Sequence, residues 1–269
     1  MGKVIKEIYS KSILSRTGIG GIDFVINPYV GCSHGCRYCY ARFMKRITNH
    51  KENWGDFVDV KINAPELLNY SRVDLEGKTI TLSSVTDPYQ AIEKRYCITR
   101  KILEALSSKK PILEILTKSS LILRDVELIK KFDDATVVFS ISIDDERLRC
   151  QLEPSHLTFE SRINALKMIR KNKIHTVLFI SPIIPAVTNW KRIIENTKYF
   201  VDEFWFENLN PYPSIRNNIK FFIKKNFPEL LGLYEELFCG FTNYWELLYD
   251  EIDSYCRKNR LNFEIYFHY

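Results

Sequence analysis

The stretch that decides how this chain is read is NPYVGCSHGCRYCYAR, residues 27–42. Cys32, Cys36 and Cys39 stand there in a C-x3-C-x2-C pattern, with two glycines, a histidine and three tyrosines around them. Three thiols this close together do not make a disulfide framework, and the total of seven cysteines is odd. Metal chemistry in a reducing compartment is the better reading. Iron–sulfur cubes are held by Cys thiolates, ordinarily one per iron. Three ligands on one loop leave one iron open to bind a further molecule. Zinc is the competing reading, with His34 completing a Cys3His set. The single residue between Cys32 and His34 is tighter than the usual ligand pairs, however, and no second pair follows.

The chain around this loop is globular material. Hydrophobic residues make up 45% and charged residues 27% of its 269 positions, which excludes a disordered or membrane-embedded composition. Lys and Arg exceed Asp and Glu by 39 to 33, giving a formal charge of +6. That balance favours an anionic partner without naming one. The start, MGKVIKEIYSKSIL, lacks the apolar run of a signal peptide, and charges recur too often elsewhere for a membrane span. The expectation is a cytoplasmic protein with no membrane contact.

Apolar runs rich in β-branched residues alternate with helix-like stretches. Strands are expected over Phe24–Val30, Thr79–Ser84, Ile112–Thr117, Thr136–Ser142, His175–Ser181 and Glu203–Glu207. Helices are expected from Ala41, after the Asn63-Ala-Pro-Glu66 opening, and over Thr99–Ser107, Asp125–Phe132, Phe159–Lys171 and Asn189–Phe200. Such alternation implies βαβ units on a parallel sheet. The number of units points to an α/β partial barrel of the (β/α)6 TIM type rather than a closed eightfold one. Beyond Pro211 the pattern changes. Tyr244, Leu247, Leu248, Ile252, Tyr255 and Cys256 share a helical face, and a short apolar strand over Asn262–Phe267 ends the chain. Residues 1–210 are therefore expected to form the barrel, and residues 211–269 a helical cap within the same structural unit.

The cysteine stretch resembles the radical SAM superfamily motif CxxxCxφC, with Tyr38 as the aromatic φ. The wider string is similar to the branch that contains spore photoproduct lyase and the DNA repair photolyase-like proteins. The similarity continues through VKINAPELL, SSVTDPYQAIE, LTKSSLILRDVELI, FSISIDDERLRCQLEP and ISPIIPAVTN. This resemblance implies a [4Fe-4S] cluster on Cys32, Cys36 and Cys39 and S-adenosyl-L-methionine chelated at the open iron. Reductive cleavage of that cofactor would give a 5′-deoxyadenosyl radical, which takes a hydrogen atom from the substrate. A small reductant, flavodoxin or ferredoxin, would be the electron-donating partner, and nucleic acid is a candidate substrate.

The resemblance also implies site residues, each with a plain structural alternative. Tyr38 would lie beside the adenine. Ser84, Thr86 and Asp87 would border the cofactor, unless the Asp-Pro pair only stops the strand. Lys118 with Ser140 and Ser142 would hold the methionine carboxylate, and Glu207 with Asn208 would form the floor of the site. Glu153 and Arg162 match the family pattern, or form an internal salt bridge. The chain departs from the family at Val85, where spore photoproduct lyase carries the cysteine that returns a hydrogen atom. Tyr38, Tyr40 or Cys97 would then be the donor, or the reaction is a different one. Two further readings stay open: a radical SAM enzyme acting on a peptide or small molecule, and a non-catalytic zinc-stabilised binding protein.

Overall fold

The computed structural model describes residues 3–268. Four short strands, β1 (Val4–Ile8), β2 (Leu14–Arg16), β3 (Phe24–Ile26) and β4 (Tyr29–Val30), lead into the cysteine loop. The loop leaves through a 3-10 turn at Tyr40–Phe43 and α1 (Met44–Ile47), followed by β5 (Phe57–Lys61) and α2 (Ala64–Asn69). The repeating units come next: β6 (Thr79–Leu82) with α3 (Glu93–Tyr96) and α4 (Ile98–Ser107), then β7 (Ile112–Thr117) with α5 (Val126–Ile129). β8 (Ala135–Ser140) is followed by α6 (Glu146–Leu152) and α7 (Phe159–Lys171), and β9 (His175–Ile183) by α8 (Trp190–Thr197). β10 (Glu203–Asn208) is followed by α9 (Pro213–Asn226), α10 (Leu231–Cys239), α11 (Tyr244–Lys258) and β11 (Phe263–Tyr266).

The main sheet has the order β11-β10-β9-β8-β7-β6-β3-β2, parallel from β3 to β11 with β2 antiparallel at one edge. Its two edges do not meet, so the barrel is open. Alternation along β7 shows how sequence makes the layers: Leu113 and Ile115 are buried among the helices, while Glu114 lies on the opposite, concave face and accepts a hydrogen bond from Thr81. On β10, Phe204 and Phe206 go to the core while Trp205 and Glu207 are half-buried on the concave side. The helix termini are capped as their sequences require, with Thr158 accepting from Ser161 N–H and Asn189 from Arg192 N–H.

Several elements depart from expectation for physical reasons. The run Phe24–Val30 breaks at Asn27-Pro28, because proline has no N–H for a sheet ladder. β3 stays in the main sheet and β4 joins a second sheet, β1-β5-β4. Asn63 precedes α2 but does not cap it; its amide bonds both backbone groups of Ser10 instead. The stretch expected as a helix from Asp125 opens with a 3-10 turn, Ser120–Asp125. The C-terminal region is more than a helical cap. β11 pairs with β10 from Phe204↔Phe263 to Glu207↔Tyr266, and α11 adds Leu248, Ile252 and Cys256 to the main core. α9 and α10 lie elsewhere, packing Ile219, Phe222, Ile223 and Tyr234 into the cluster that contains Cys36 and Tyr38. No helix among the described residues is long and apolar enough to cross a membrane.

Glycines let the cysteine loop approach the segment before β5. Gly31 has φ +81°, and a Cβ there would lie 2.6 Å from the Phe57 carbonyl oxygen. Gly55 has φ +104°, and its Cβ would meet the Cα of Gly35 at 2.8 Å. Gly77 also has a positive φ, +67°, but open space around it. Gly77→Ala should therefore cost only the backbone strain, about 1–2 kcal/mol, whereas Gly31→Ala and Gly55→Ala add overpacking of about 1–3 kcal/mol. Urea unfolding midpoints measure this; equal losses at all three positions would contradict the close-packed account.

Candidate active site

The C-terminal ends of the parallel strands carry a continuous polar row. Lys118, just past β7, donates from Nζ to Ser140 Oγ at 2.6 Å. Ser140, the last residue of β8, donates to the Ser181 carbonyl on β9 at 3.0 Å. Ser181 in turn donates its hydroxyl to Glu207 at the end of β10, and His268 approaches the other oxygen of Glu207 at 3.2 Å. Contact with Glu207 raises the His268 pKa above the ordinary histidine value. The row thus crosses the sheet from β7 to the residues after β11, at the end where α/β barrels place their sites.

The cysteine loop sits beside this row. Cys32 and Cys36 are buried, Cys39 is half-buried, and none is in a disulfide. Burial pushes all three thiols up, Cys36 to about 12, while the His34 N–H at Cys32 and the Ala41 N–H at Cys39 pull the other way. Metal binding here must displace protons from sulfur. Beneath the loop, Glu153 lies fully buried between Arg162, the Tyr38 hydroxyl and Lys118. Burial alone would raise its pKa, but Arg162 and Lys118 hold the carboxyl down at about 2. Of the two readings of Glu153 and Arg162, the internal salt bridge is the one present.

His34 does not turn its ring to the cysteines. Its Nε2 lies 2.9 Å from Asp87, whose carboxylate also accepts from the Thr117 hydroxyl at 2.7 Å and the Lys118 N–H at 2.8 Å. Against the pull of burial, His34 and these hydrogen bonds hold the Asp87 pKa below the carboxylate range. Asp87 is thus a tie between the loop and β7, with both of its oxygens engaged. Among the described residues, no three His, Cys, Asp or Glu side chains converge on a point that one metal ion could fill. A single zinc gathers its thiolates about 2.3 Å from one centre, whereas a cube spreads them over separate irons. Three cysteines on one loop, with His34 turned to Asp87, are a donor set of the kind an iron–sulfur cluster takes.

The other expected residues divide. Thr86 donates to the Gly31 carbonyl and accepts from Gln90, so its hydroxyl stitches the loop rather than facing a ligand. Ser142, past the end of β8, is fully buried and, like Ser140, donates to the Ser181 carbonyl, but unlike Ser140 it has no contact with Lys118. Tyr38 is 5% exposed with its hydroxyl committed to Glu153, and its ring lies 5.5 Å from Lys118 Nζ. Ser84 is half-buried, its N–H bonded to Asn27 and its carbonyl to the Tyr40 hydroxyl. Tyr40 is 38% exposed and lies near Cys39, Glu207 and Tyr212. Cys97 is held near Arg124 and the Lys94 carbonyl between α3 and α4. Asn208 is buried, with its amide bonded to the backbone of His268. Sequence reading missed Ser181 and His268. Ser181 had a signal, a hydroxyl in the strand next to Ser140; His268 joins the row only through the fold.

Comparison with known proteins places this geometry. Residues 26–195 match the family model described as "Radical SAM superfamily". An uncharacterized protein of Methanocaldococcus jannaschii is 41% identical over 225 residues, covering 84% of each chain. Spore photoproduct lyase complexed with dinucleoside spore photoproduct superposes with a TM-score of 0.59 at 16% identity, over 84% of this chain and 66% of that one. Streptococcus suis SuiB bound to precursor peptide SuiA gives 0.52 at 16% identity, over 98% of this chain and 49% of that one. At those identities the two structures show the fold alone, and this chain spans about two thirds and half of their lengths. Together with the thiolate loop at the mouth of an open parallel barrel, the family match and the archaeal relative settle the assignment: the chain belongs to the radical SAM superfamily, whose enzymes use a [4Fe-4S] cluster and S-adenosyl-L-methionine.

Proposed function

We propose that this protein is a radical S-adenosylmethionine enzyme that removes a hydrogen atom from a nucleic-acid substrate. The observation that carries the chemistry is the three thiols on one loop, two buried and one half-buried, with His34 engaged by Asp87 rather than turned to them. When bound, the reduced cluster supplies one electron to cleave the cofactor to a 5′-deoxyadenosyl radical. Cys32, Cys36 and Cys39 would hold the iron; Lys118 and Ser140 would orient the methionine carboxylate. Lys118 has three N–H donors, and its contacts to Ser140 and Glu153 leave one to offer. The packed floor beneath Tyr38 keeps water from the reacting groups.

At the position of the family's hydrogen-donating cysteine, Val85 packs against the Cys32 cluster. Tyr40 reaches the same loop through the Ser84 carbonyl and is the exposed donor there. We assign it the contact with substrate. The substrate class follows from the rim. Between Asn27 and Lys51 no acidic residue occurs, while Arg37, Lys45 and Arg46 do. α9, also free of acids, carries Arg216, Lys220, Lys224 and Lys225 and is joined to this segment by Asn218 donating to the Arg37 carbonyl. Exposed rings interleave: Tyr40 stacks with Phe43 at 6.5 Å, and Phe221 is 62% exposed. Cations that track phosphates and rings that stack bases are what single-stranded nucleic acid requires. The dinucleoside in the structurally similar lyase supports the same class. A small reductant such as flavodoxin or ferredoxin is the proposed electron donor, and the cytoplasm the proposed compartment.

Anaerobic reconstitution followed by a reductive cleavage assay tests the chemistry. Wild type should form 5′-deoxyadenosine, and replacement of Cys32, Cys36 and Cys39 by Ala should abolish it; persistence would reject the assignment. Tyr40→Phe should keep cofactor cleavage but lose product formation, and full product yield would remove Tyr40 from its role. Lys118→Met should weaken cofactor binding by about tenfold or more, the value of a hydrogen bond to a charged group. An unchanged dissociation constant by calorimetry would overturn that placement. Finally, the affinity for a single-stranded oligonucleotide should fall with salt, and the double change Lys224→Ala, Lys225→Ala should flatten the log–log slope by about 1.4, some 0.7 per phosphate contact. Binding that ignores salt would favour a peptide or small-molecule substrate.

A further inference from the structure

We infer that the indole N–H of Trp54 and the Nε–H of Arg42 donate hydrogen bonds to the sulfur atoms of the iron–sulfur cluster on the cysteine loop, and thereby set its reduction potential. The inference rests on the cofactor reading above and assigns to two further residues the control of the electron-transfer step.

Both N–H groups are buried and without a hydrogen-bond partner in the protein. Orphaned buried donors are rare in folded proteins, because each forfeits its hydration for nothing in return. Trp54 is 6% exposed and packs in one cluster with Cys32, Ala41 and Phe57, with Cys39 against it. Among those side chains, sulfur is the acceptor. Arg42 begins three residues beyond Cys39 and already donates from Nη2 to the Cys36 carbonyl at 3.3 Å, which fixes the guanidinium and leaves Nε free.

The arrangement is rigid. Trp54 sits edge-on to Phe57 with ring centroids 5.9 Å apart at 78°. The next residue, Gly55, is seated against Gly35 of the cysteine loop, so backbone contact fixes where the indole points. Phe57, in turn, closes on Gly31, one residue before Cys32. Donors to cluster sulfur stabilise the reduced state, which carries one more negative charge, and so raise the potential. A cluster with three thiolates that must be reduced to function gains from such donors.

The test is an EPR-monitored redox titration of the reconstituted protein, with iron and sulfide content measured in the same samples. Trp54→Phe and Arg42→Met should each retain iron and sulfide and show a lower midpoint. At a fixed solution potential the reduced-to-oxidised ratio should fall about tenfold, which for a one-electron couple is about 59 mV. Should Trp54→Phe lose its cluster through loosened packing, the benzothienyl analogue of tryptophan, incorporated at position 54, keeps the bicyclic shape and removes only the N–H. Its midpoint should fall likewise. Unchanged midpoints in variants that keep their clusters overturn the inference and leave the cofactor reading standing. Wild-type protein without iron and sulfide would reject both.

Discussion

Three sulfurs have to be kept dry, apart from one another and beside the open end of the sheet, and most of the local structure answers to that constraint. Burial favours the protonated form of all three thiols on the cysteine loop, and a metal bound there would have to displace those protons. Holding the loop in place falls to contacts made by other residues. Gly31 and Gly35 admit the backbone before β5, His34 reaches Asp87, and Arg37 N–H bonds the Leu152 carbonyl at 2.8 Å. The loop is thus tied to β7 and α6 as well as to its own flanks.

The buried group of Glu153, Arg162, Lys118 and Tyr38 is the second consequence. A carboxylate at 1% exposure beside a guanidinium at 0% is costly to desolvate and is retained only where its geometry is well satisfied. Here it places one cation, Lys118, between the cysteine loop and the polar row of strand ends. That cation links the cysteine loop to the row Ser140, Ser181, Glu207 and His268. The open barrel matters for the same reason. Because β2 and β11 do not pair, Trp205, Phe179 and Tyr266 on the concave face stay partly accessible, with ring centroids 5.6–6.3 Å apart.

Much of the fold was legible because its signals are local. Ile112–Thr117 alternates cleanly, and Phe159–Lys171 has a capping threonine before it and a polar end, so both boundaries matched. β1 was not legible: only two of its residues are half-buried, and its partner β5 lies some fifty residues away. β11 could be read as a strand, but not as a continuation of the sheet, since pairing with β10 is a tertiary fact. In the site, the cysteines were legible from spacing alone. Ser140 and Ser142 were expected on one strand, with Ser142 the favoured partner of Lys118, but β8 ends at Ser140 and it is Ser140 that Lys118 contacts. Trp54 had no periodic or motif signal; its importance arises from the contact between Gly35 and Gly55.

The central claim is that one corner of a metal cube is left free by a three-thiolate loop and takes up the sulfonium cofactor. Mössbauer spectroscopy of the iron-loaded protein, with and without S-adenosyl-L-methionine, addresses it directly. The account predicts that one iron site in four changes its signal on addition of the cofactor, while the three on Cys32, Cys36 and Cys39 do not. Spectra in which all the irons remain alike before and after addition would contradict it.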